Sequence, residues 1–317
     1  MQSIKLTYPI TETDSHTVTE PQVMAIGEFD GLHLGHQEVI KRALTTAKHL
    51  RTPAAIMTFH PHPKEVLGQQ KYTQLLTPVD QKRRMLERMG VDTMYLVSFN
   101  PDFMQLTPEQ FVENVLIPMK VNTVIVGFDF NFGYRGAGTP DTLCELAQGR
   151  FAVEVVRPYQ QGGVKVSSTL VREHLQKGEI EEANALLGRR YTVEGTVVNG
   201  DGRGRTIGFP TANINLAESF VIPALGVYAV QVTIDGEKFN AVMNVGKKPT
   251  FVADLERPTL EAHLFDFSRT IYGSAISVEF IAFLRPERKF SAVDELIAQI
   301  RRDADRAKSI LTALENN

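Results

Sequence analysis

Short apolar runs alternate with longer helical patterns over the first part of the chain. The runs at residues 23–26, 54–59, 93–99, 123–126 and 151–156 have the length of buried strands. After the first run, apolar residues recur at the spacing of one helical face: Val39, Ile40, Ala43, Leu44, Ala47 and Leu50. Strands that alternate with helices are joined by crossover connections, so the pattern predicts an α/β domain with a parallel sheet and helices on both faces.

Two helix starts in this region carry capping signals. Thr77 is expected as an N-cap with Pro78 at the first helical position, and Gly90 is expected to end that helix. Thr107 is followed three residues later by Gln110, which has the form of a capping box.

After residue 188 the pattern changes to short strand-like runs at residues 191–199, 228–234, 239–245, 260–267 and 276–283. The dipeptide Asp235-Gly236 is a hairpin signal between two of them. Residues 291–314 have a helical pattern with apolar residues on one side. We therefore predict a first domain at 1–187 and a small antiparallel β-barrel with a C-terminal helix at 188–317.

The composition of the chain narrows the classes of protein to which it could belong. The chain has 317 residues, 43% of them apolar, and a net charge of −3 without a long basic run, which argues against binding to nucleic acid. No stretch has the roughly 18 consecutive apolar residues of a membrane span, and the N-terminus lacks a signal-peptide core. A single cysteine, Cys144, forms no internal disulfide and is expected as a small apolar group on a helix. We expect a cytoplasmic protein that does not bind membranes.

The clearest chemistry lies in Gly27-Glu-Phe-Asp-Gly-Leu-His-Leu-Gly-His36, between the first strand and the first helix. A helix N-terminus at the carboxyl end of a parallel strand suits phosphate, and glycine lets the backbone approach a bound group. His33 and His36 project on the same side and suit a polyphosphate. A zinc site is the alternative, but it lacks a clear third ligand because His60 and His62 flank Pro61 in a separate loop.

Three further segments have residue types that suit ligands. Ser167-Ser-Thr169 precedes a helical run that includes Arg172, whose planar guanidinium matches phosphate; a plain N-cap is the alternative. Asp129 and Asn131 follow a strand, where they serve either a ligand or a structural turn. The glycine-dense segment 200–208 lacks the Gly-Lys-Ser/Thr of a P-loop, and by itself it fits a flexible hairpin as well as a phosphate cradle.

Thr211 and Asn213 follow that segment, and on an extended chain their side chains share one face. A hydroxyl and an amide oxygen are hard ligands suited to Mg²⁺ on ATP. Glu261 lies in a later strand-like run, where an exposed structural glutamate is the alternative to a catalytic base.

Together these motifs resemble the bacterial bifunctional riboflavin kinase/FAD synthetase family. The first half carries the His-x-Gly-His motif of nucleotidylyltransferases, Thr58-Phe-His-Pro-His-Pro63, Gly127-Phe-Asp-Phe-Asn-Phe-Gly133 and Val166-Ser-Ser-Thr-Leu-Val-Arg172. The second half carries Pro210-Thr-Ala-Asn213, Gly226-Val-Tyr228, residues 244–251 and Glu261-Ala-His-Leu-Phe-Asp-Phe267. The resemblance covers nearly the full chain.

The resemblance implies a Rossmann-like nucleotidyltransferase domain, which makes FAD and pyrophosphate from FMN and ATP, and a kinase barrel, which makes FMN from riboflavin and ATP with Mg²⁺. It implies four groups of residues. The catalytic residues are His33, His36, Arg172 and Glu261, and the metal ligands are Thr211 and Asn213. The nucleotide-binding residues are Gly27, Phe29, Asp30, Gly31, Gly35, Ser167, Ser168, Thr169, Gly202, Gly204 and Gly208. The flavin-binding residues are His60, Pro61, His62, Asp129, Asn131 and Phe132.

Two positions depart from what the family leads us to expect, and two other functions stay open. Glu28 puts a carboxylate beside the expected phosphates, and Arg135 lies in an unusually glycine-rich run; neither is assigned a role. One alternative is a monofunctional FMN adenylyltransferase with a non-catalytic, flavin-binding barrel. The other is a flavin-sensing regulator that binds nucleic acid or a partner, which the acidic balance disfavours.

Overall fold

The computed structural model describes residues 1–10, 18, 20–200, 204, 207–247 and 258–315. Contacts divide the chain into two compact units, Met1–Ser167 and Ser168–Asn317. The helical segment 168–187, which the sequence places with the first domain, groups with the second unit. In that segment Asn184 donates to the Phe280 carbonyl (2.9 Å) and accepts from the Tyr191 backbone N–H (2.6 Å). The boundary at 187/188 between the two activities stays a prediction.

In the described part of the first unit, six parallel strands form one sheet in the order β1-β4-β3-β2-β5-β6. Their bounds are Gln2–Leu6 (β1), Gln22–Ile26 (β2), Ala54–His60 (β3), Thr93–Ser98 (β4), Val121–Gly127 (β5) and Ala152–Val156 (β6). The predicted strands and their parallel arrangement are confirmed. Strand β1 was not predicted, because it is a short edge strand in which only Ile4 and Leu6 are apolar.

Helices connect these strands. Their bounds are Leu34–Leu50 (α1), Pro63–Val66 (α2), Val79–Arg88 (α3), Pro101–Met104 (α4), Pro108–Phe111 (α5, continued by a π-helical turn at Val112–Leu116) and Pro140–Ala147 (α6). The capping box of Thr107 and Gln110 is confirmed. The predicted cap at Thr77 is wrong: α3 begins one residue later after Pro78, and the Thr77 N–H instead donates to the Asp30 carboxylate.

Strand β2 shows why both faces of the sheet are covered. Its residues Met24 and Ile26 join a core cluster with Phe111 and Val115. Val23 and Ala25 point to the other face and pack with the apolar side of α1, at Val39, Ile40 and Ala43. Alternation along the strand therefore distributes its side chains to two cores, and the prediction of helices on both faces is confirmed.

In the described part of the second unit, six antiparallel strands close a barrel in the order β10-β13-β12-β11-β14-β9. The elements are Ser168–Lys177 (α7), Ile180–Leu187 (α8), Tyr191–Val198 (β9), Ala212–Leu216 (β10), Gly226–Ile234 (β11), Glu237–Lys247 (β12), Pro258–Leu264 (β13), Ala275–Pro286 (β14) and Val293–Glu315 (α9). The two-stranded pair Gln160–Gln161 (β7) and Val164–Lys165 (β8) precedes them. The predicted barrel and closing helix are confirmed.

The turn between β11 and β12 and the packing of α9 follow the sequence patterns, whereas strand β10 does not. Asp235 and Gly236 both have positive φ (51° and 83°) and turn β11 into β12, as the hairpin signal predicts. Helix α9 packs Ala304, Ala307 and Leu311 against the barrel. Strand β10 was not predicted as a strand, because its sequence Ala-Asn-Ile-Asn-Leu is short and half polar.

Two expectations concern the chain as a whole. Cys144 lies on α6 with an exposed side chain, so the expected place is right but the thiol is not part of a core. Within the described ranges, no helix is both long and apolar enough to cross a membrane.

Candidate active sites

The first candidate site lies where the strand order of the sheet reverses. Strands β3 and β4 extend the sheet on one side of β2, and β5 and β6 extend it on the other. Open parallel sheets bind their ligands outside the carboxyl ends of the strands at such a switch point. The segment after β2 therefore lies between the end of β3 at His60, with the following loop that contains His62, and the loop after β5, which contains Asp129 and Asn131.

The loop from β2 to α1 has an unusual backbone. Phe29, Gly31 and Leu32 all have positive φ (48°, 96° and 42°), and two of them are not glycine. Such conformations persist only where the surroundings hold them, and they concentrate at functional sites. Phe29 is buried at 2% exposure and anchors the loop, while its ring packs close to Gly27, where a Cβ would lie 3.2 Å from Cζ. The loop is thus held in one shape before α1 begins.

His33 and His36 are brought together at the start of α1. His33 is the N-cap, and its Nδ1 accepts the His36 backbone N–H (3.2 Å), so the neutral His33 ring carries its proton on Nε2. The two imidazoles stack with centroids 3.6 Å apart, and Phe29 meets His36 edge-on at 5.4 Å. Every residue of α1 is described and none in its first turn is acidic, so the positive end of its dipole stays available to an anion.

Beneath this loop lies a charged residue that the sequence analysis missed. Lys82 of α3 is 4% exposed, and its Nζ donates to the Glu28 carbonyl (2.6 Å) and to Thr58 Oγ1 (3.1 Å). Burial lowers the pKa of Lys82 below its ordinary value of 10.5, and the charges of Asp30 and Glu28 oppose that shift. No local signal distinguishes Lys82 from its charged neighbours on α3, because only the tertiary packing buries it.

The structure shows which group the Glu28 carboxylate contacts. Its carboxylate contacts His62 Nε2, and His62 is 5% exposed. His62 Nδ1 accepts the Lys64 backbone N–H (3.1 Å) as the N-cap of α2, and the ring stacks on Tyr72 at 4.5 Å. Glu28 therefore directs its charge towards a histidine of the neighbouring loop, and both ring nitrogens of His62 are engaged within the protein.

His60 differs from His62 because its side chain is exposed. Desolvation by its surroundings, and then the nearby charge of Lys82, hold the pKa of His60 below its ordinary value of 6.5; Glu65 opposes them. The neutral form is therefore favoured at pH 7. Pro61 separates the two histidines and is also exposed, so the loop presents His60 and Pro61 to solvent and keeps His62 inside.

The loop after β5 mixes exposed and buried residues. Asp129 is exposed and pairs with Lys165 (2.7 Å), and Asn131 donates to the Asp129 carbonyl (3.0 Å). Phe132 is 6% exposed and packs in the core on Phe111, with centroids 5.3 Å apart. Two of the residues expected to bind flavin are thus accessible, and the third supports the loop. Arg135 has a φ of 54° and lies over the Tyr134 ring at 5.2 Å.

The segment from Ser167 to Arg172 lies where the two units meet in sequence. Val166 is buried, and its carbonyl lies near Gly35, where a Cβ would come within 3.6 Å of it. Ser167 ends the first unit and Ser168 begins α7 in the second, where Thr169 and the buried Arg172 follow. The expectation that these residues serve the first site stays a prediction.

The zinc alternative finds no support in the described residues, where no group of three or more His, Cys, Asp or Glu side chains is placed to hold a metal ion.

The second candidate site is built by strand register in the barrel. Asn213 on β10 lies opposite Glu261 on β13, and Glu261 in turn lies opposite Asn244 on β12. Directly opposed residues of antiparallel strands have Cβ atoms about 4.5–5.5 Å apart on the same face. The structure therefore brings together the amide and the carboxylate that the sequence separates by almost fifty positions.

Glycines make room for this arrangement. A Cβ at Gly200 would overlap the side-chain amide of Asn213, and one at Gly204 would overlap the Phe209 carbonyl and lie 3.5 Å from Thr211 Oγ1. Gly208 has a φ of 84°, which favours glycine. Gly202 lies outside the described residues. The described glycines therefore place backbone directly against the two expected metal ligands.

His263 lies within the motif from Glu261 to Phe267, but the sequence assigned it no role. It lies two residues after Glu261, so both side chains share one face of β13. Its Nδ1 donates to the Pro210 carbonyl (2.8 Å), and Phe209 packs edge-on against its ring at 5.4 Å. His263 thus fixes the start of the Pro210–Asn213 segment relative to Glu261. The alternation of polar residues along β13 is the only sequence signal for it.

Two family models match the chain. The model described as FAD synthetase matches residues 15–170, and the model described as riboflavin kinase matches residues 187–311. The first match covers the parallel sheet except its edge strand β1, together with the connecting helices, and the second covers the barrel and most of α9.

Several named proteins resemble the chain over nearly its whole length. The bifunctional riboflavin kinase/FMN adenylyltransferase of Bacillus subtilis is 43% identical over 312 residues, which are 97% of each protein. The protein of the same name from Listeria monocytogenes is 43% identical over 317 residues, the full length of both. The Escherichia coli protein of that name is 38% identical over 294 residues, 91% of this chain and 92% of the relative.

A solved structure shares the architecture. A Streptococcus pneumoniae protein named macrolide-efflux protein superposes with a TM-score of 0.85 and 34% identity, covering 95% of this chain and 97% of its own. That name denotes a different class of activity from the two family models and the three relatives above, which agree with one another.

Proposed function

Because the chain belongs to the bifunctional riboflavin kinase/FMN adenylyltransferase family and carries both activities, we propose a specific division of residues between its two sites. The barrel domain phosphorylates riboflavin to FMN with ATP. The parallel-sheet domain adenylylates FMN with a second ATP and releases pyrophosphate. The proposal concerns which side chains perform each step.

In the first site, an oxygen of the FMN phosphate forms a bond to the α-phosphorus of ATP. The bond from that phosphorus to the bridging oxygen breaks, and its electron pair leaves on pyrophosphate. We assign stabilisation of this charge to His33 and His36 with the N-terminus of α1, because fixed donors act most strongly where negative charge develops. Gly27, Phe29, Asp30, Gly31 and Gly35 shape the loop that receives the nucleotide.

The flavin side of this site is assigned to the exposed residues of the neighbouring loops. His60 is the last residue of β3 and Pro61 follows it, and Asp129 and Asn131 follow β5. His62 and Phe132 support those loops from inside. Ser167, Ser168, Thr169 and Arg172 complete the assignment as phosphate ligands by resemblance to the family motif.

In the second site, a ribityl hydroxyl of riboflavin attacks the γ-phosphorus of ATP, and Glu261 accepts its proton. The bond to the β–γ bridging oxygen breaks, and ADP leaves. Thr211 and Asn213 would hold Mg²⁺, and their oxygen atoms beside the close-packed backbone of Gly200 and Gly204 fit a small, hard cation. When bound, Mg²⁺ neutralises charge on the phosphates of ATP.

The observation that carries this proposal is the pairing of Asn213 with Glu261 across β10 and β13. It joins the expected metal ligand and the expected base in one place, as phosphoryl transfer requires.

The direct test is a time course. The protein is incubated with riboflavin, ATP and Mg²⁺, and flavins are separated by chromatography. FMN should appear first, FAD should follow, and omission of Mg²⁺ should suppress FMN formation. FAD formation from supplied FMN without any FMN formation from riboflavin would instead support the monofunctional alternative. The match to the riboflavin kinase family and the presence of Thr211, Asn213 and Glu261 argue against that alternative.

We also propose the cytoplasm as the place of action, with no nucleic-acid or membrane partner.

A further inference from the structure

The buried ammonium of Lys82 lies at a single backbone point on which two loops of the adenylylation site depend. The Glu28 carbonyl accepts hydrogen bonds from Lys82 Nζ (2.6 Å) and from Thr58 Oγ1 (2.9 Å), and Lys82 also donates to Thr58 Oγ1. Thr58 is fully buried on β3, and Lys82 comes from α3. Two separate elements, β3 and α3, thus converge on the Glu28 carbonyl in the loop after β2.

An apolar side chain would fill this space without the penalty of a buried charge. Removing an ammonium from water is costly unless hydrogen bonds and opposite charges compensate it. Here Asp30, which is 2% exposed, and Glu28 provide the opposite charge. Burying the Lys82 ammonium therefore costs free energy, and packing alone does not explain why a lysine occupies this position.

The position of Glu28 in the loop supplies a reason. Its backbone precedes Phe29, Gly31 and Leu32, whose positive φ values lead the chain into His33 at the start of α1. Its side chain contacts His62 in the loop after β3. Holding the Glu28 carbonyl therefore sets the placement of the phosphate-side loop and of the His60–His62 loop together.

We propose that Lys82 is a positioning residue for adenylyl transfer. It holds the Glu28 carbonyl so that the N-terminus of α1 and His33 meet the ATP phosphates in productive geometry, and its buried charge adds positive potential beneath them. This inference rests on the assignment of adenylyl transfer to the first site.

The test compares three variants of the full-length protein. Lys82→Met removes the ammonium, and Thr58→Val removes one of the two donors to the Glu28 carbonyl. Arg83→Met removes a partly exposed cation from the neighbouring position of α3, where Arg83 pairs with Glu87 at 3.8 Å. A displacement of about 1 Å in a reacting group costs roughly 100-fold in rate, so Lys82→Met should lower kcat for FAD formation from FMN by about that factor. Thr58→Val should lower it several-fold, and Arg83→Met should leave it unchanged.

Two measurements separate positioning from mere stabilisation. Amide hydrogen exchange of β2 and β3 gives the folded fraction, and kcat is expressed per folded molecule. The riboflavin kinase activity of the same sample serves as the internal control.

The second measurement is chemical rescue. In Lys82→Ala, added propylamine should restore FAD formation saturably, whereas propanol, of similar size but uncharged, should not.

Unchanged kcat per folded molecule in Lys82→Met would overturn the inference. If the lysine variants do not fold, the test passes to Thr58→Val, and a kcat equal to that of the unchanged protein would overturn it. Equal effects of propylamine and propanol would assign Lys82 a space-filling role. Absence of FAD formation in the unchanged protein would instead refute the proposed function, so the two failures are distinguishable.

Discussion

The Glu28 carboxylate contacts His62 Nε2, and this contact links the loops following two neighbouring parallel strands. His62 Nδ1 accepts the Lys64 N–H, which leaves Nε2 as the ring nitrogen that can donate to the Glu28 carboxylate. Since the His62 ring is buried, this contact connects the nucleotide-side loop to the first turn of α2.

Removal of that acceptor should loosen α2. Glu28→Ala leaves the buried Nε2–H without its carboxylate, and an unsatisfied buried donor costs about 1–3 kcal/mol. Glu28→Gln keeps an acceptor oxygen and should retain most of the stability. Amide hydrogen exchange of Leu67 and Gly68, whose N–H groups bond within this turn, measures the effect. Equal protection in both variants would show that the contact does not hold the turn.

His33 has two roles that can be separated, a helix cap and a donor to phosphate. Loss of an N-cap side chain costs about 0.5–2 kcal/mol, so His33→Ala should destabilise α1 while His33→Asn, a good capping residue, should not. Both should lower kcat for FAD formation by about 10²–10³, the usual loss for one preorganised donor. Thermal unfolding and FMN-to-FAD kinetics measure the two effects. Full activity in His33→Asn would limit His33 to capping.

Glu261 should act in one step only. Glu261→Ala removes the proposed base and should lower FMN formation by roughly 10²–10⁴, the usual contribution of general-base catalysis. FAD formation from supplied FMN should be unchanged, because the adenylylation site lies in the other domain. Chromatography of both reactions with one enzyme preparation makes the comparison, and an equal loss of both steps would contradict the division of labour.

His60 should report on the charge of Lys82. Desolvation and, after it, the charge of Lys82 lower the pKa of His60 from its ordinary value of 6.5, so Lys82→Met should raise that pKa, while Arg83→Met should leave it in place. NMR titration of the His60 imidazole measures the shift. Because native His60 binds a proton less readily than the unfolded chain, its contribution to the free energy of unfolding should decrease as the pH falls through 6.5. An unshifted pKa in Lys82→Met would show that the two groups do not interact.

The sequence by itself determined the elements whose signals are local. Apolar runs and helical spacing depend on residues close in the chain, so five strands of the sheet, α1, the capping box of Thr107 and the Asp235-Gly236 hairpin follow from them. Two motifs, from Gly27 to His36 and from Pro210 to Asn213, likewise carry their chemistry within a few residues. The edge strand β1 and the half-polar β10 lack such signals and were missed.

Only the tertiary structure decided which distant residues meet. Parallel pairing of β2 with β3 places Glu28 beside the His62 loop, and barrel closure places Asn213 opposite Glu261. On an isolated helix the Lys82 side chain would be exposed to solvent. In the folded protein, packing of α3 buries it beneath the Glu28 carbonyl. Local periodicity states which face of an element is apolar, but register and burial depend on partners far along the chain, and those partners appear only when the chain has folded.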